Sequence, residues 1–375
     1  MKIPADIRAR FEPLAREAGR LGTPLYFVGG CVRDWLIGKE TLDVDLAVEG
    51  ESAPLARAAA RLWGGSAEEF DRFGTVRVSL PGGGNVDFAR TRSETYARPA
   101  ALPQVQPAAS IQEDLARRDF SVNALALRAG SAEGEIVDPH GGVQDLKDRR
   151  LRVLHARSFE DDPTRLLRGA RYAARFGLAP EPETARLMKD AVERRLPALL
   201  SRERLRQELW RTLEENDPAP AFARMEEWGL LVFLHPRLKW VPSAGLEPDA
   251  ACRLGLCAMA LGEEGSEFLS SLKLDRNLSR GLLAALKAAQ EGRSPIKPLP
   301  DFGVCMLRAG IPNLSPAAAQ PLVIDGRDLQ RLGLKPGPEF SRILNEAAAA
   351  QWKGVFHDKE SALSWLKKSA ASGNK

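Results

Sequence analysis

The run Gly29-Gly30-Cys31-Val32-Arg33-Asp34, followed by Leu42-Asp43-Val44-Asp45-Leu46, carries the strongest chemical signal in the sequence. Two glycines between a strand and a helix let backbone N–H groups approach a phosphate closely. The helix N-terminus favours an anion, and Arg33, one turn in, adds a fixed positive charge. Those residue types make a triphosphate cradle. In an extended strand successive side chains alternate, so Asp43 and Asp45 point one way while Val44 and Leu46 point into the core. Two carboxylates held that close repel each other unless a cation lies between them, and hard oxygen donors suit Mg²⁺. A bare Gly-Gly turn is usually only a tight turn, and an isolated Asp-x-Asp is commonly a solvated strand face. In succession, at this spacing, they point to a nucleotide and a metal.

Asp87, in Asn85-Val86-Asp87-Phe88, lies on a later expected strand whose Val86 and Phe88 alternate inward. It is read as a third carboxylate beside the pair, ligating metal or activating an attacking hydroxyl, with a solvent-facing strand position as the alternative. Arg117-Arg118-Asp119, with Asn123 nearby, offers adjacent guanidinium groups for phosphate and an acid for ribose hydroxyls, or else a solvated helix end. Asp162, Arg165, Arg168 and Arg171 recur every three residues and form a slowly winding band on one side of a helix. Arg202, Arg204, Arg206 and Arg211 make the next helix basic, either to track an RNA backbone or as an ordinary charged face.

Placing these groups requires an α/β head. Residues 1–148 alternate helix and strand signals: a helix up to Gly19, strands at Leu25–Val28 and around Val44–Val48, a helix near Ala53–Leu62, and a hairpin of Thr75–Leu80 and Asn85–Ala89. From about residue 149 strand signals fade and helical periodicity takes over. Pro and Gly clusters at Lys239–Pro248, Ser294–Pro300 and Leu334–Pro338 then mark loops. With 375 residues, 44% hydrophobic and 28% charged, the chain is long enough for several cores and has an ordinary globular balance. The net charge of +4 suits a polyanion only through a local patch. Cys31, Cys252, Cys257 and Cys305 show neither CxxC spacing nor a disulfide framework, and are expected to be reduced and buried. The amino terminus lacks a signal-peptide run and no segment reaches membrane-span length, so the expected setting is cytoplasmic.

Taken in order, Gly29-Gly30-x-Val32-Arg33-Asp34 with Asp43-x-Asp45, Arg117-Arg118-Asp119-Phe120-Ser121-Val122-Asn123-Ala124, Asp138-Pro139-x-Gly141-Gly142-x-x-Asp145-Leu146 and Asp161-Asp162-Pro163-Thr164-Arg165 resemble the successive motifs of the class II tRNA nucleotidyltransferase and bacterial poly(A) polymerase family. The resemblance implies a polymerase-β-like head with a mixed sheet over 1–148, then an all-α neck (149–215), body (216–315) and tail (316–375). It implies that Asp43 and Asp45 hold the metals, while the catalytic reading of Asp87 rests on its strand position alone. Gly29, Gly30 and Arg33 would hold the triphosphate, and Arg118, Asp119 and Asn123 the ribose and phosphates. Asp162 and Arg165, with Arg168 and Arg171 behind them, would read the incoming base as a protein template. One departure is Asp161, where the family usually carries Glu.

The activity implied by the resemblance is transfer of nucleotides from ATP and CTP to the 3′ end of tRNA, with Mg²⁺ and with no membrane or obligate protein partner. Relatives differ in product: all of CCA, the terminal A alone, CC alone, or poly(A). The segment Arg92–Gln112, which CC-adding members tend to shorten, is full length here and is read as a flexible loop, favouring CCA or A addition. The rivals are a poly(A) polymerase, a catalytically inactive RNA-binding relative, and transfer to a small molecule.

Overall fold

In the computed structural model the described residues are 4–39, 41, 44–69, 74–130, 135–243 and 248–372. They form two compact units, Met1–Leu200 and Ser201–Lys375.

The first unit opens with α1 (Ala5–Arg20), β1 (Leu25–Val28), α2 (Gly30–Leu36), β2 (Asp45–Val48), α3 (Ser52–Trp63), β3 (Ser66–Glu69), β4 (Thr75–Ser79) and β5 (Asn85–Arg90). It continues through β6 (Arg92–Thr95), β7 (Gln104–Pro107), α4 (Ile111–Ala116), β8 (Ala126–Arg128), β9 (Ile136–Val137), α5 (Gly142–Lys147) and β10 (Arg150–Leu151). It closes with α6 (Ser158–Asp161), α7 (Thr164–Phe176), β11 (Ala179–Pro180) and α8 (Pro182–Glu193). Seven of the described strands make one mixed sheet in the order β3-β4-β5-β2-β1-β8-β9. Only β2 and β5 pair in parallel within it. On one face Leu25, Phe27, Leu46, Val48, Val76, Val78, Val86 and Phe88 pack with residues of α1 and α3 such as Phe11, Leu14 and Leu55. On the other, Tyr26, Val28, Ala47 and Ala126 pack against Ile111 and Leu115 of α4. Alternation along each strand thus builds two cores and leaves the edge of the second face for charged groups.

The Arg92–Gln112 segment is not a bare loop, because β6 and β7 pair antiparallel from Arg92↔Pro107 to Thr95↔Gln104. At its tip Ala100 takes a positive φ of 58° and its N–H donates to Glu160 O on α6 at 3.1 Å. Beyond residue 149 one small strand pair persists, β10 with β11 in parallel, bracketing α6 and α7.

The second unit is helical: α9 (Arg202–Leu213), α10 (Ala219–Glu227), α11 (Ala250–Ala260), α12 (Gly265–Ser271), α13 (Arg276–Glu291), α14 (Asp301–Gly310), α15 (Gly326–Arg331), α16 (Pro338–Trp352) and α17 (Lys359–Ser372). Helix α11 packs among α12, α13 and α14, while Ile324, Leu329, Ala347 and Phe356 anchor a separate core around α15 to α17. Among the described residues no helix is long and apolar enough to cross a membrane.

Candidate active site

Gly29 follows β1 and caps α2 with φ 69° and ψ −122°, a conformation L side chains rarely adopt, and Gly30 starts α2. A Cβ on Gly29 would lie 2.6 Å from Arg118 Nη1. The glycine therefore serves the turn and also admits a guanidinium against the backbone. Arg33, 4% exposed, donates from Nη1 to Asn123 Oδ1 at 2.5 Å and from Nε to Asp34 at 2.9 Å. Its guanidinium lies over the Phe176 ring, 4.1 Å from the centroid, so an aromatic side chain of α7 backs the cation from the α2 turn.

Asp45 begins β2 with an exposed side chain, while the Leu46 beside it is buried. Register partners run across the sheet from Asp45 to Asp87, from Asp87 to Arg77, and from Arg77 to Glu68. These four charged side chains form one row on one face of the sheet. Within it both Asp87 oxygens are engaged by Arg77, from Nε and Nη2 at 2.8 Å each. Asp43 lies outside the described residues. Asp45 carries a hard oxygen donor that suits a divalent cation, and its register partner Asp87 lies beside it with both oxygens engaged by Arg77. Among the described residues alone, no cluster of three or more His, Cys, Asp or Glu side chains is complete enough to hold a metal.

The stretch after α4 is held by acids. Asp114, buried, accepts from Arg117 at 2.9 Å and from Arg118 at 3.0 Å. Burial alone would raise the Asp114 carboxyl, but Arg118 and Arg117 outweigh it and hold it below the ordinary range. Glu94 of β6 accepts from Arg117 at 2.8 Å and from the Tyr96 hydroxyl at 3.0 Å. Burial and then the Glu94 charge push the Tyr96 phenol upward, so it remains a donor at neutral pH. Asp119 is more deeply held: Oδ1 accepts from Phe120 N and Asn123 Nδ2, and Oδ2 accepts from Arg168 Nε and Nη2 at 2.8 and 2.7 Å. Burial raises its carboxyl, but Arg168 and Asn123 together bring it down to about 2.

Asp162 lies two residues before the start of α7, its Oδ1 accepting from Thr164 N at 2.9 Å and Thr164 Oγ1 at 2.6 Å. Arg165, 4% exposed, donates to Ser158 Oγ at 2.7 Å and Arg117 O at 2.9 Å. Arg168 also reaches Tyr172 Oη at 2.9 Å. Gly29, Gly30, Arg33, Asp45, Arg118, Asp119, Asn123, Asp162, Arg165, Arg168 and Arg171 all line one cavity of about 390 Å³. Asp87 is not on its wall. Glu94, Tyr96, Arg117, Tyr172 and Arg175 complete the lining. The cavity is mostly polar and rich in arginine, which suits a polyanion with an attached planar group.

Three of the four arginines that make α9 basic have partners within the second unit. Arg202 donates to Phe233 O and Leu234 O, Arg206 to Leu272 O and Lys273 O, and Arg211 to Glu208.

A Gly-Gly turn and acidic strand in a mixed sheet, followed by helices, define a nucleotidyltransferase head. Residues 25–152 match the family described as "Poly A polymerase head domain", and residues 177–240 match "Probable RNA and SrmB- binding site of polymerase A". An A-adding tRNA nucleotidyltransferase from Halalkalibacterium halodurans is 31% identical over 94% of this chain and 90% of its own length. A CC-adding tRNA nucleotidyltransferase from Deinococcus radiodurans is 34% identical over 93% and 90%. The chain belongs to the tRNA nucleotidyltransferase family. Its fold is similar to that of the Thermotoga maritima CCA-adding enzyme complexed with tRNA, with a TM-score of 0.67 and 27% identity over 98% of this chain and 96% of that one. The chain spans only 27% and 23% of the length of two other A-adding relatives, from Geobacter sulfurreducens and Aquifex aeolicus.

Proposed function

We propose that this chain adds nucleotides to the 3′ end of tRNA without a nucleic-acid template, using ATP for the terminal A and, where it builds the whole CCA end, CTP as well. The observation that carries the reading is the shared cavity: the Gly-Gly turn with Arg33, Asp45, the Arg118–Asn123 stretch and the Asp162–Arg171 helix converge on one polar space. The tRNA 3′-hydroxyl attacks the α-phosphate of the bound nucleoside triphosphate. A bond forms between the 3′ oxygen and phosphorus, the bond to the β-phosphate bridge breaks, and pyrophosphate leaves.

In this reading the backbone of Gly29 and Gly30, with Arg33, holds the triphosphate. Arg118, Asp119 and Asn123 orient ribose and phosphates, and Arg168 and Arg171 keep the wall positive. Asp162 and Arg165 face the base edge, where a carboxylate accepts from an exocyclic amine and a guanidinium donates to ring acceptors. Asp43 and Asp45 would hold Mg²⁺, which supplies charge neutralisation at the phosphates and a lowered pKa for the attacking hydroxyl. Asp87 would join them, as ligand or as the group activating the hydroxyl, once its ion pair with Arg77 opens. The reading keeps a head over 1–148, a neck over 149–215, a body over 216–315 and a tail over 316–375, working in the cytoplasm. The full-length Arg92–Gln112 ribbon favours CCA or A addition over CC addition.

The deciding assay offers tRNA transcripts ending before CCA, after CC and after CCA, and an unstructured RNA of equal length, each with single labelled nucleotides. A addition to the transcript ending in CC, stopping after one residue, supports the reading, and use of the shortest transcript assigns full CCA synthesis. Long homopolymer tails on the unstructured RNA, with tRNA no better as acceptor, would replace it with a poly(A) polymerase.

A further inference from the structure

We propose that Cys252 and Cys305 form a reversible disulfide site that takes a hydroperoxide as its oxidant, independently of nucleotide transfer. Their Sγ atoms lie 2.8 Å apart on separate helices of the second unit, α11 and α14. An S–S bond of about 2.05 Å therefore requires a further approach of less than about 1 Å. Helix packing, not a chance rotamer, brings the sulfurs together. A Cβ on Gly255 of α11 would lie 2.5 Å from Met306 Sδ of α14, and one on Gly310 of α14 would lie 2.7 Å from Met259 Sδ of α11. The two helices therefore approach closely through these glycines along the interface that carries the cysteine pair. Cys252 sits in the first turn of α11, where its N–H donates to Asp249 Oδ1 at 2.7 Å, so its backbone is pinned.

The two sulfurs differ in access. Cys252 is fully buried, whereas Cys305 is partly exposed and is the sulfur an oxidant reaches first. Attack of the Cys305 sulfur on the terminal peroxide oxygen breaks the O–O bond, gives Cys305 sulfenic acid and releases an alcohol, or water from hydrogen peroxide. The Cys252 sulfur then attacks the Cys305 sulfur, the S–O bond breaks, and hydroxide leaves with the Cys252 proton as water. Together the two thiols lose two electrons and two protons, and the peroxide is reduced. Burial and the neighbouring Cys305 raise the Cys252 thiol, which makes the second step faster as pH rises. Cys31 is in the first unit with its thiol donating to Val28 O, and Cys257 is buried.

The test treats the full chain with hydrogen peroxide, blocks remaining thiols with iodoacetamide after denaturation, and maps peptides by mass. The expected result is a chain lighter by two hydrogens, with the Cys252 and Cys305 peptides joined and the Cys31 and Cys257 peptides alkylated. A dithiol reductant should return all four to the alkylated form. In Cys252→Ser, Cys305 should stop at a sulfenic acid that dimedone traps. A Cys305 that proceeds to sulfinic acid in the natural chain while Cys252 stays alkylatable would overturn the proposal. So would linkage through Cys31 or Cys257, or an unchanged pair of thiols.

Discussion

Asp119 Oδ2 receives two hydrogen bonds from the Arg168 guanidinium, at 2.8 and 2.7 Å, and so ties the stretch after α4 to the middle of α7. Both residues line the cavity, so the pair aligns the proposed ribose and phosphate site with the proposed base site. Asp119→Asn keeps the shape but removes the charge opposite Arg168, and should cost about 2–3 kcal/mol at pH 7. The native carboxyl is lowered to about 2, against about 3.9 in an unfolded chain. A lowered carboxyl contributes stability above its unfolded value and loses it as pH falls through the folded one. The gap between wild type and Asp119→Asn in chemical denaturation should therefore be full at pH 5 and above, and close between about pH 4 and 2. A gap constant across that window would mean that the ion pair is not what the substitution removes.

Asp45 is exposed and its strand's core face is untouched by substitution, so Asp45→Ala should fold normally, melting within a few degrees of wild type, and lose nucleotide addition by at least about a thousandfold. Asp43→Ala should do the same. Chelation of divalent ions should silence the natural chain, and Mg²⁺ should restore it. Near-normal turnover by either variant in Mg²⁺ would remove these carboxylates from the metal site.

Gly29→Ala tests the turn itself. At φ 69° and ψ −122°, outside even the left-handed helical region, an alanine is strained, and its Cβ would land 2.6 Å from Arg118 Nη1, so the guanidinium must move. The expected outcome is a KM for ATP raised about tenfold or more, with RNA affinity unchanged. An unchanged KM would show that Arg118 can shift without consequence for the nucleotide.

How much of the fold was legible in the chain depends on how each element is patterned. β1, the hairpin of β4 and β5, and α7 alternate or repeat strongly, and their sequence patterns place each to within two residues. Strand β3, Ser66–Glu69, is mostly polar and solvated, while β6 carries charges and β7 is Gln-Val-Gln-Pro, so hydrophobic periodicity does not mark them. The missed lining residues Glu94 and Tyr96 sit on or beside that ribbon. Tyr172 did leave a signal, four residues after Arg168 on one helix face, and Phe176 follows at the same spacing beneath Arg33. The Asp87–Arg77 pair depends on strand register between β4 and β5, which spacing along one strand cannot disclose.

Asp162→Ala and Arg165→Ala should differ in a way their geometry dictates. Each should impair discrimination among nucleoside triphosphates more than triphosphate binding, read as a fall in the ratio of kcat/KM for the correct over the wrong nucleotide. Arg165 is also buried, with bonds to Ser158 Oγ and Arg117 O, so its loss should lower the melting temperature as well. Asp162→Ala removes the hydrogen bonds that Asp162 accepts from Thr164 N and Oγ1, a loss of about 1 kcal/mol from that contact. Uniformly weaker binding with selectivity intact would make both residues phosphate-binding or structural.

Basic residues in the helical half must be sorted by what they already hold. Arg206 donates to Leu272 O and Lys273 O, and Arg202 to Phe233 O and Leu234 O, so each closes the ends of neighbouring segments within the second unit. A side chain committed to carbonyls has little left for phosphate, and its removal leaves acceptors without their charged donor, at about 1–3 kcal/mol. If the acceptor is recognised as a folded tRNA through its backbone, affinity should fall steeply with salt. The slope of log affinity against log salt counts the cations that meet phosphate. Arg206→Ala should therefore lower stability and leave that slope unchanged within error, whereas loss of a phosphate-binding residue reduces it by about one. Measuring both by tRNA titration at several salt concentrations and by thermal unfolding separates the roles. A reduced slope with unaltered stability would return Arg206 to the RNA surface.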